Sequence, residues 1–473
     1  YLNFVSKKLD LRKNIKFNTS VEKAHFIEDA NQWEITTANG LVCRSTYLIT
    51  AIGCISSANI PNIPGLEDFT GDWYHTGKWP HENVSFKDKR VGQIGTGSTG
   101  IQAAPVIAET AGHLHVFQRT PNYSVPARNA PLTKDFKEYV RDNYEEIKDL
   151  VQSTPNGHPF RISTSKVFDS NEDERKKVYE DAWEKGGLQF RATYQDLTTD
   201  KKANDTAADF LKSKIKSVVR DKKTAEALSD IDYPYAGKRP PIDTNYFETF
   251  NKENVSLVDV KKESILKITK DGIQTNERHI PLDIIVFATG FDAITGKFFE
   301  MDIKGRNGVK LTDVWREGPK TYLGLQTPGF PNLFTITGPG SPSVLCNMPP
   351  CIEQHVEWIS QCLEYMRANH IDTCEADESA ATEWVKHVNE AAEATLLVTV
   401  PHSWYLGANV EGKPRVFMPY AGGMNRYRAL CSDVVKKQYV GFKMKSKSNV
   451  INAVTPDKNQ TFEVTNKIKT PGI

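Results

Sequence analysis

The sequence predicts an α/β protein, and three observations carry the prediction. The stretch "KRVGQIGTGSTGIQAAPVIAETAGHLHVFQRT", residues 89–120, reads as an apolar strand, a glycine-rich turn, an amphipathic helix and a second strand. That is one βαβ unit of the length a dinucleotide fold requires. Two further stretches, "LITAIG" (48–53) and "IVFATG" (285–290), read as apolar strands that each exit on a glycine. Residues 13–55 alternate as a small sheet, with "NIKFNTSV", "WEITTANG" and "RSTYLITAIG" as strands and Asn39-Gly40 as a tight turn. Together these predict two dinucleotide-binding, Rossmann-like domains, the second carrying a helical insertion, with a plain strand-to-loop exit as the alternative for either glycine-ended strand.

Taken in order, residues 1–56 belong to the first domain. The chain starts at Tyr1 and opens in mid-pattern, which predicts a fragment whose first domain is incomplete at its N-terminus. Residues 57–89 are rich in Pro, Gly and aromatics and read as an ordered inter-domain linker. Residues 90–290 form the second domain, with a charged, helix-prone insertion at about 131–230 to which no chemistry is assigned. Residues 291–445 return to the first domain, mixing loops with long helices such as "IEQHVEWISQCLEYMRANH". Residues 446–473 are polar and read as a loose tail.

Bulk properties exclude several classes. Lys+Arg 60 against Asp+Glu 59 leaves a net charge of +1, which gives no electrostatic footprint for nucleic acid. No apolar run approaches the ~20 residues a membrane span needs. The 7 cysteines form no C-x-x-C pair, which argues against a dithiol reductase and for reduced thiols in the cytoplasm. A monomer or weak oligomer is expected.

Gly95-Thr96-Gly97-Ser98-Thr99-Gly100 is a complete G-x-G-x-x-G placed between a strand and a helix. Gly95 permits the tight turn, Gly97 lets the backbone approach a pyrophosphate, and Gly100 allows the helix to pack closely. About 20 residues on, an NAD site offers a carboxylate to the ribose. Here Arg119 and Thr120 stand instead, and a guanidinium suits a 2′-phosphate. NADPH is therefore the expected nucleotide, a surface ion pair being the plainer role for Arg119.

The stretch "FTGDWYHTGKWP" (69–80) has the spacing F-x-G-x-x-x-H-x-x-x-W-P, carried by Phe69, Gly71, His75, Trp79 and Pro80. It is followed by "GTGSTG", "VFQRTPNYSVPARNAPL", "KRPPIDTNYFETFN", "DIIVFATGFDAITG", "GPGSPSVLCNMPPCIEQHVEWI" and "WYLGANVEGKPRVFMPY". In this combination and order the chain resembles the Baeyer–Villiger monooxygenases, a class of flavin monooxygenases, over nearly its whole length.

The resemblance implies an FAD- and NADPH-dependent enzyme. It would use O2 to convert a hydrophobic ketone to an ester or lactone through a flavin C4a-peroxide. Arg239 in "GKRPP" matches the family's active-site arginine, and Lys238 the residue that helps Arg119 hold the 2′-phosphate. Two solvated cations before proline remain the plain alternative. Trp404 matches a tryptophan near the nicotinamide ribose, and Val344, Leu345, Cys346 and Met348 a loop beside substrate and cofactor. Apart from the resemblance a tryptophan here is more often core, and packing beside Pro349-Pro350 is the plain alternative for the four loop residues. His75 is implied in catalysis as a hinge residue rather than a base, with Gly71 giving backbone freedom and the rings of Phe69 and Trp79 re-docking as domains rotate. The family's flavin-binding glycine loop has no counterpart here, so exposed apolar edges are expected on the first domain.

Two rival readings come from other chemistry. A sister class of flavin enzymes oxidises amines or thioethers, although its linker tends not to end in Trp-Pro. A non-catalytic NADPH-binding remnant is the other. No metal is expected: His81 follows His75 too far along the chain, and nothing completes a tetrahedral set.

Overall fold

The structure, a computed structural model, describes residues 1–446; the polar tail expected at 446–473 lies, apart from Ser446, outside the described residues. The nucleotide-type domain is built on a five-stranded sheet in the order Val255–Asp259, His113–Gln118, Arg90–Ile94, Ile284–Phe287 and Asp72–His75. Every neighbouring pair is parallel. Parallel strands are covered on both faces, so they need continuous apolar runs. All four residues of Ile284–Phe287 are accordingly buried. The helix Ser98–Ile107 links the strands Arg90–Ile94 and His113–Gln118, burying Ile101, Ala104 and Ile107 on one side.

Asp72–His75 corrects one expectation. Residues placed in a linker form the edge strand of this sheet, with His75 opposite Phe287. Gly71 is likewise no source of backbone freedom. A Cβ there would fall 2.4 Å from the Asp283 carbonyl oxygen and 2.7 Å from the Phe69 ring. Glycine stands at 71 because the strand enters against another backbone.

The insertion is helical, with Lys134–Asp142, Tyr144–Ser153, Glu172–Lys185, Lys201–Val218 and Lys222–Ser229. Local sequence explains the boundaries. Asn171 and Glu174 make a capping box ahead of Glu172–Lys185, and Gly186 ends it at φ 71°. Asp200 caps Lys201–Val218, whose Ala203, Ala207, Leu211 and Ile215 recur every four residues and are buried.

The other body is discontinuous. The antiparallel hairpin strands Val21–Ile27, Gln32–Thr37 and Val42–Ser45 share a sheet with Asp302–Lys304. Leu48–Thr50 pairs in parallel with Leu333–Thr335. The helices Met348–Ala368, Glu378–Glu393 and Met424–Lys436 complete it around a core containing Trp358, Cys362, Met366 and Tyr427. Apolar side chains are exposed along this body, with Ile49 at 43% and Ile55 at 52%. All seven cysteines are free, and all but Cys43 are buried.

Candidate active site

The glycine loop joins the strand Arg90–Ile94 to the helix Ser98–Ile107 under tight steric limits. Gly95 adopts φ 111°, and a Cβ there would meet the Ala288 carbonyl oxygen at 2.4 Å. A Cβ on Gly100 would lie 2.2 Å from the Gly95 carbonyl oxygen. Buried Gln93 staples the turn, its Nε2 donating to the carbonyls of Gly95 at 3.2 Å and Gly100 at 3.1 Å. Thr96 Oγ1 donates to the Thr120 carbonyl at 3.0 Å, tying the loop to the next strand's exit. Gly97 differs from its neighbours, since a Cβ there would meet nothing within 4 Å. The helix begins at Gly97 with no side-chain cap, and Ser98 and Thr99 are exposed. The first N–H groups therefore face open space, the arrangement a pyrophosphate fits.

Arg119 is exposed at the exit of His113–Gln118, and Lys238 lies within reach of its charge. The Lys238 ammonium sits 4.3 Å from the Tyr233 ring centroid. Burial, and then the like charge of Arg119, push its pKa down to about 8. Two cations held together at this position fit a phosphate dianion.

A cavity of about 120 Å³ opens between the helical insertion and the other body. Arg239 reaches it and donates from Nη1 to the Val344 carbonyl at 3.1 Å. Val344 and Leu345 also line it, with Phe160, Leu188, Leu397 and Tyr405. Among the described residues no Asp or Glu lines it. Burial pushes the Tyr405 hydroxyl up to about 12, keeping it neutral.

Cys346, Met348 and Trp404 are not among the residues that line this cavity. Cys346 is 2% exposed and turns inward, its thiol donating to the Ser343 carbonyl at 3.2 Å, so it packs behind the cavity instead of lining it. Met348 opens the helix Met348–Ala368 and packs with Trp404 against Cys54, Ile294, Tyr405 and Phe417. The Trp404 ring lies tilted against that of Tyr405, with centroids 4.6 Å apart and 51° between the planes. The insertion, to which the sequence assigns no chemistry, contributes Asn156, His158 and Arg191 to the cavity lining. No local motif marks these three, because only the fold brings them to the loop at Val344.

His75 is 2% exposed at the end of its strand. Its Nδ1 accepts the Gly77 N–H at 3.0 Å, while Nε2 faces the backbone of Gly290 and Asn59 without completing a hydrogen bond. Burial lowers its pKa, so the ring is neutral. It stands edge-on to Phe291 at 5.8 Å. Phe69 is buried, whereas Trp79 is 39% exposed against Tyr74 and Phe86, with Pro80 after it.

A flavin has a fitting surface here. Beyond Leu48–Thr50 the chain exposes Ala51, Gly53 and Ile55 beside exposed Ile49, an apolar face of the kind a planar ring system covers. The adjoining exit at Gly290 has φ 83° and open space where a Cβ would be. The two exits run together through Ile294 N–H to Cys54 O at 2.7 Å and Asn59 N–H to Gly290 O at 2.9 Å. Cys54 also contacts Ser343 and feels the charge of Arg239, so this surface borders the cavity. Among the described residues no cluster of His, Cys, Asp and Glu is placed to hold a metal ion.

A glycine loop opening a helix, two neighbouring cations and an arginine-bearing cavity between two bodies fit a flavin monooxygenase architecture. A flavin-binding monooxygenase-like family profile matches residues 1–128. The chain is 41% identical over 445 residues to cyclohexanone 1,2-monooxygenase of an Acinetobacter species, covering 93% of this chain and 81% of that one. It is 41% identical over 444 residues to a Baeyer–Villiger monooxygenase of Pseudooceanicola batsensis, covering 93% and 80%. A solved OTEMO complex with FAD and NADP superposes with a TM-score of 0.91 at 38% identity, covering 94% of this chain and 83% of that one. The chain belongs to the Baeyer–Villiger monooxygenase family.

Proposed function

We propose that this chain is an FAD- and NADPH-dependent Baeyer–Villiger monooxygenase that inserts one oxygen atom of O2 beside the carbonyl of a hydrophobic ketone, giving an ester or lactone. Bound FAD, reduced by NADPH, supplies the activated oxygen. The open N–H groups at Gly97–Thr99 hold the nucleotide pyrophosphate, and Arg119 with Lys238 hold its 2′-phosphate. Arg239 places a permanent positive charge where the carbonyl oxygen becomes negative, and the Val344 carbonyl keeps that charge in position. Leu188, Val344, Leu345 and Leu397 exclude water and bind the carbon skeleton. Trp404 and Met348 support this wall from behind, and His75 transmits movement between the nucleotide sheet and the segment after Gly290.

The observation that carries the reading is a guanidinium fixed to the wall of an acid-free, largely apolar cavity. The test follows NADPH loss and ester formation over a panel of cyclic and aromatic ketones, using protein loaded with FAD. Ketone-dependent NADPH loss with matching ester supports it. NADPH loss with hydrogen peroxide and no ester from any ketone overturns it.

Among the described residues no helix is long and apolar enough to cross a membrane. We place the enzyme in the cytoplasm, which supplies NADPH and keeps its thiols reduced, as a monomer or weak oligomer.

A further inference from the structure

The cavity holds a second guanidinium that the ketone reaction does not use. Arg191 lies in the short helical turn Gly187–Ala192 and faces the same space as Arg239. Its Nη1 donates to Asn156 Oδ1 at 2.7 Å, the one hydrogen bond it makes among the described residues. An arginine has five N–H donors, so most of its fork is left for another partner. It forms no ion pair among the described residues, and no Asp or Glu lines the cavity. Burial lowers its pKa, with the neighbouring Tyr235 and Tyr405 acting in the opposite direction. His158 stands beside both arginines, which together with burial lower its pKa, so it adds no negative charge.

Arg191 is half-buried on the cavity wall, a cation with no counter-charge among the described residues. Arg191 is nevertheless aimed correctly. Asn156, which accepts from it, donates through Nδ2 to the Leu345 carbonyl at 2.9 Å, and its own carbonyl accepts the Asn347 N–H at 2.8 Å. The guanidinium is therefore braced against the loop that carries Val344 and Leu345. The nucleotide phosphate does not account for it, because that charge is met by Arg119 and Lys238.

We propose that Arg191 recognises a carboxylate on the substrate, so that the preferred ketones are keto acids whose carbonyl meets Arg239 while the acid meets Arg191. This rests on the ketone-oxygenation reading and adds the substrate class. A carboxylate would take the free edge of the planar fork in charge-assisted hydrogen bonds, which are strong in a water-poor cavity. The remaining apolar lining would contact the carbon chain between the two groups.

The test uses FAD-loaded protein saturated with NADP+ and three probes, 4-oxocyclohexanecarboxylate, 5-oxohexanoate and 7-oxooctanoate, each paired with its methyl ester. Calorimetry gives the ratio of ester to acid Kd. The expected ratio in the unaltered protein is about tenfold or more for at least one pair, the worth of one good charge-assisted contact. Arg191→Met should bring it to about one, and Arg191→Lys should keep part of it. Melting curves confirm that both variants fold. A ratio near one for all three pairs in the unaltered protein overturns the proposal. So does a ratio that persists in Arg191→Met, since Arg191 would then only brace the loop through Asn156. Product analysis on the neutral esters tests oxygenation separately: acid preference without product would leave Arg191 as an anion site and remove the oxygenase reading.

Discussion

Arg239 Nη1 donates to the carbonyl oxygen of Val344 at 3.1 Å, across 105 residues of sequence. One bond thus fixes the Arg239 charge to the loop that walls the cavity. Cation and wall are positioned as a unit, so disturbing either should show in the same step.

Arg239→Ala should lower ester formation by about 10²–10³-fold, the usual loss when a preorganised charge at a developing oxyanion is removed. NADP+ affinity should change little, because Arg119 and Lys238 are intact. Arg239→Lys should recover only a small part, since a point charge lacks the fork that bonds Val344 while facing the cavity. Steady-state ester formation alongside NADP+ titrations checks both statements.

Lys238 provides a pH test. Its pKa is lowered from 10.5 to about 8 in the unliganded protein. A bound 2′-phosphate favours the charged amine, so binding above pH 8 must take up a proton. NADP+ affinity should be level between pH 7 and 8 and fall as pH rises further, by at most about tenfold per unit. Lys238→Gln should remove the slope, and NAD+ should lack it. Stability of the unliganded protein runs the opposite way. Between about pH 8 and 10.5 the unfolded chain holds the proton that the folded one releases, so this group's contribution increases with pH. Titrations and melting curves across pH 7–10 read both.

Gly97 and Gly100 should respond differently to alanine. The space at Gly97 is empty of protein, so Gly97→Ala should leave the melting temperature nearly unchanged and weaken NADP+ by about tenfold or more through contact with the pyrophosphate. Gly100→Ala would place Cβ 2.2 Å from the Gly95 carbonyl and should lower the melting temperature by several degrees. Equal melting temperatures for the two variants would contradict this division.

His75→Ala should lower the rate or coupling of oxygenation while leaving NADPH affinity nearly intact. The ring touches Gly77 and Phe291 rather than the phosphate loop, so its loss loosens the join between edge strand and strand exit. A large rise in the NADPH Kd with unchanged turnover would contradict the hinge role.

Much of the architecture was legible in local patterning. The βαβ unit around Gly95–Gly100, the paired strand exits at Gly53 and Gly290, the helical insertion and the returning first domain all have short-range signals in turn chemistry and hydrophobic period. The linker did not: "DWYH" looks like a connector because its edge strand is short and half exposed, and only pairing with Ile284–Phe287 makes it a strand. Gly71 misled for the same reason, since the backbone it must accommodate lies at Asp283.

The sequence by itself determined the geometry of the glycine loop and the position of Arg119, because both sit within one supersecondary unit whose geometry is local. The order of its motifs also determined the family. The tertiary structure alone decided the cavity and its lining. Arg239 meets Val344, Cys346 turns away, and Arg191, Asn156 and His158 arrive from an insertion that reads as plain charged helix. Cavity walls are assembled from contacts far apart in the chain, and such contacts leave no periodic trace in the residues that make them.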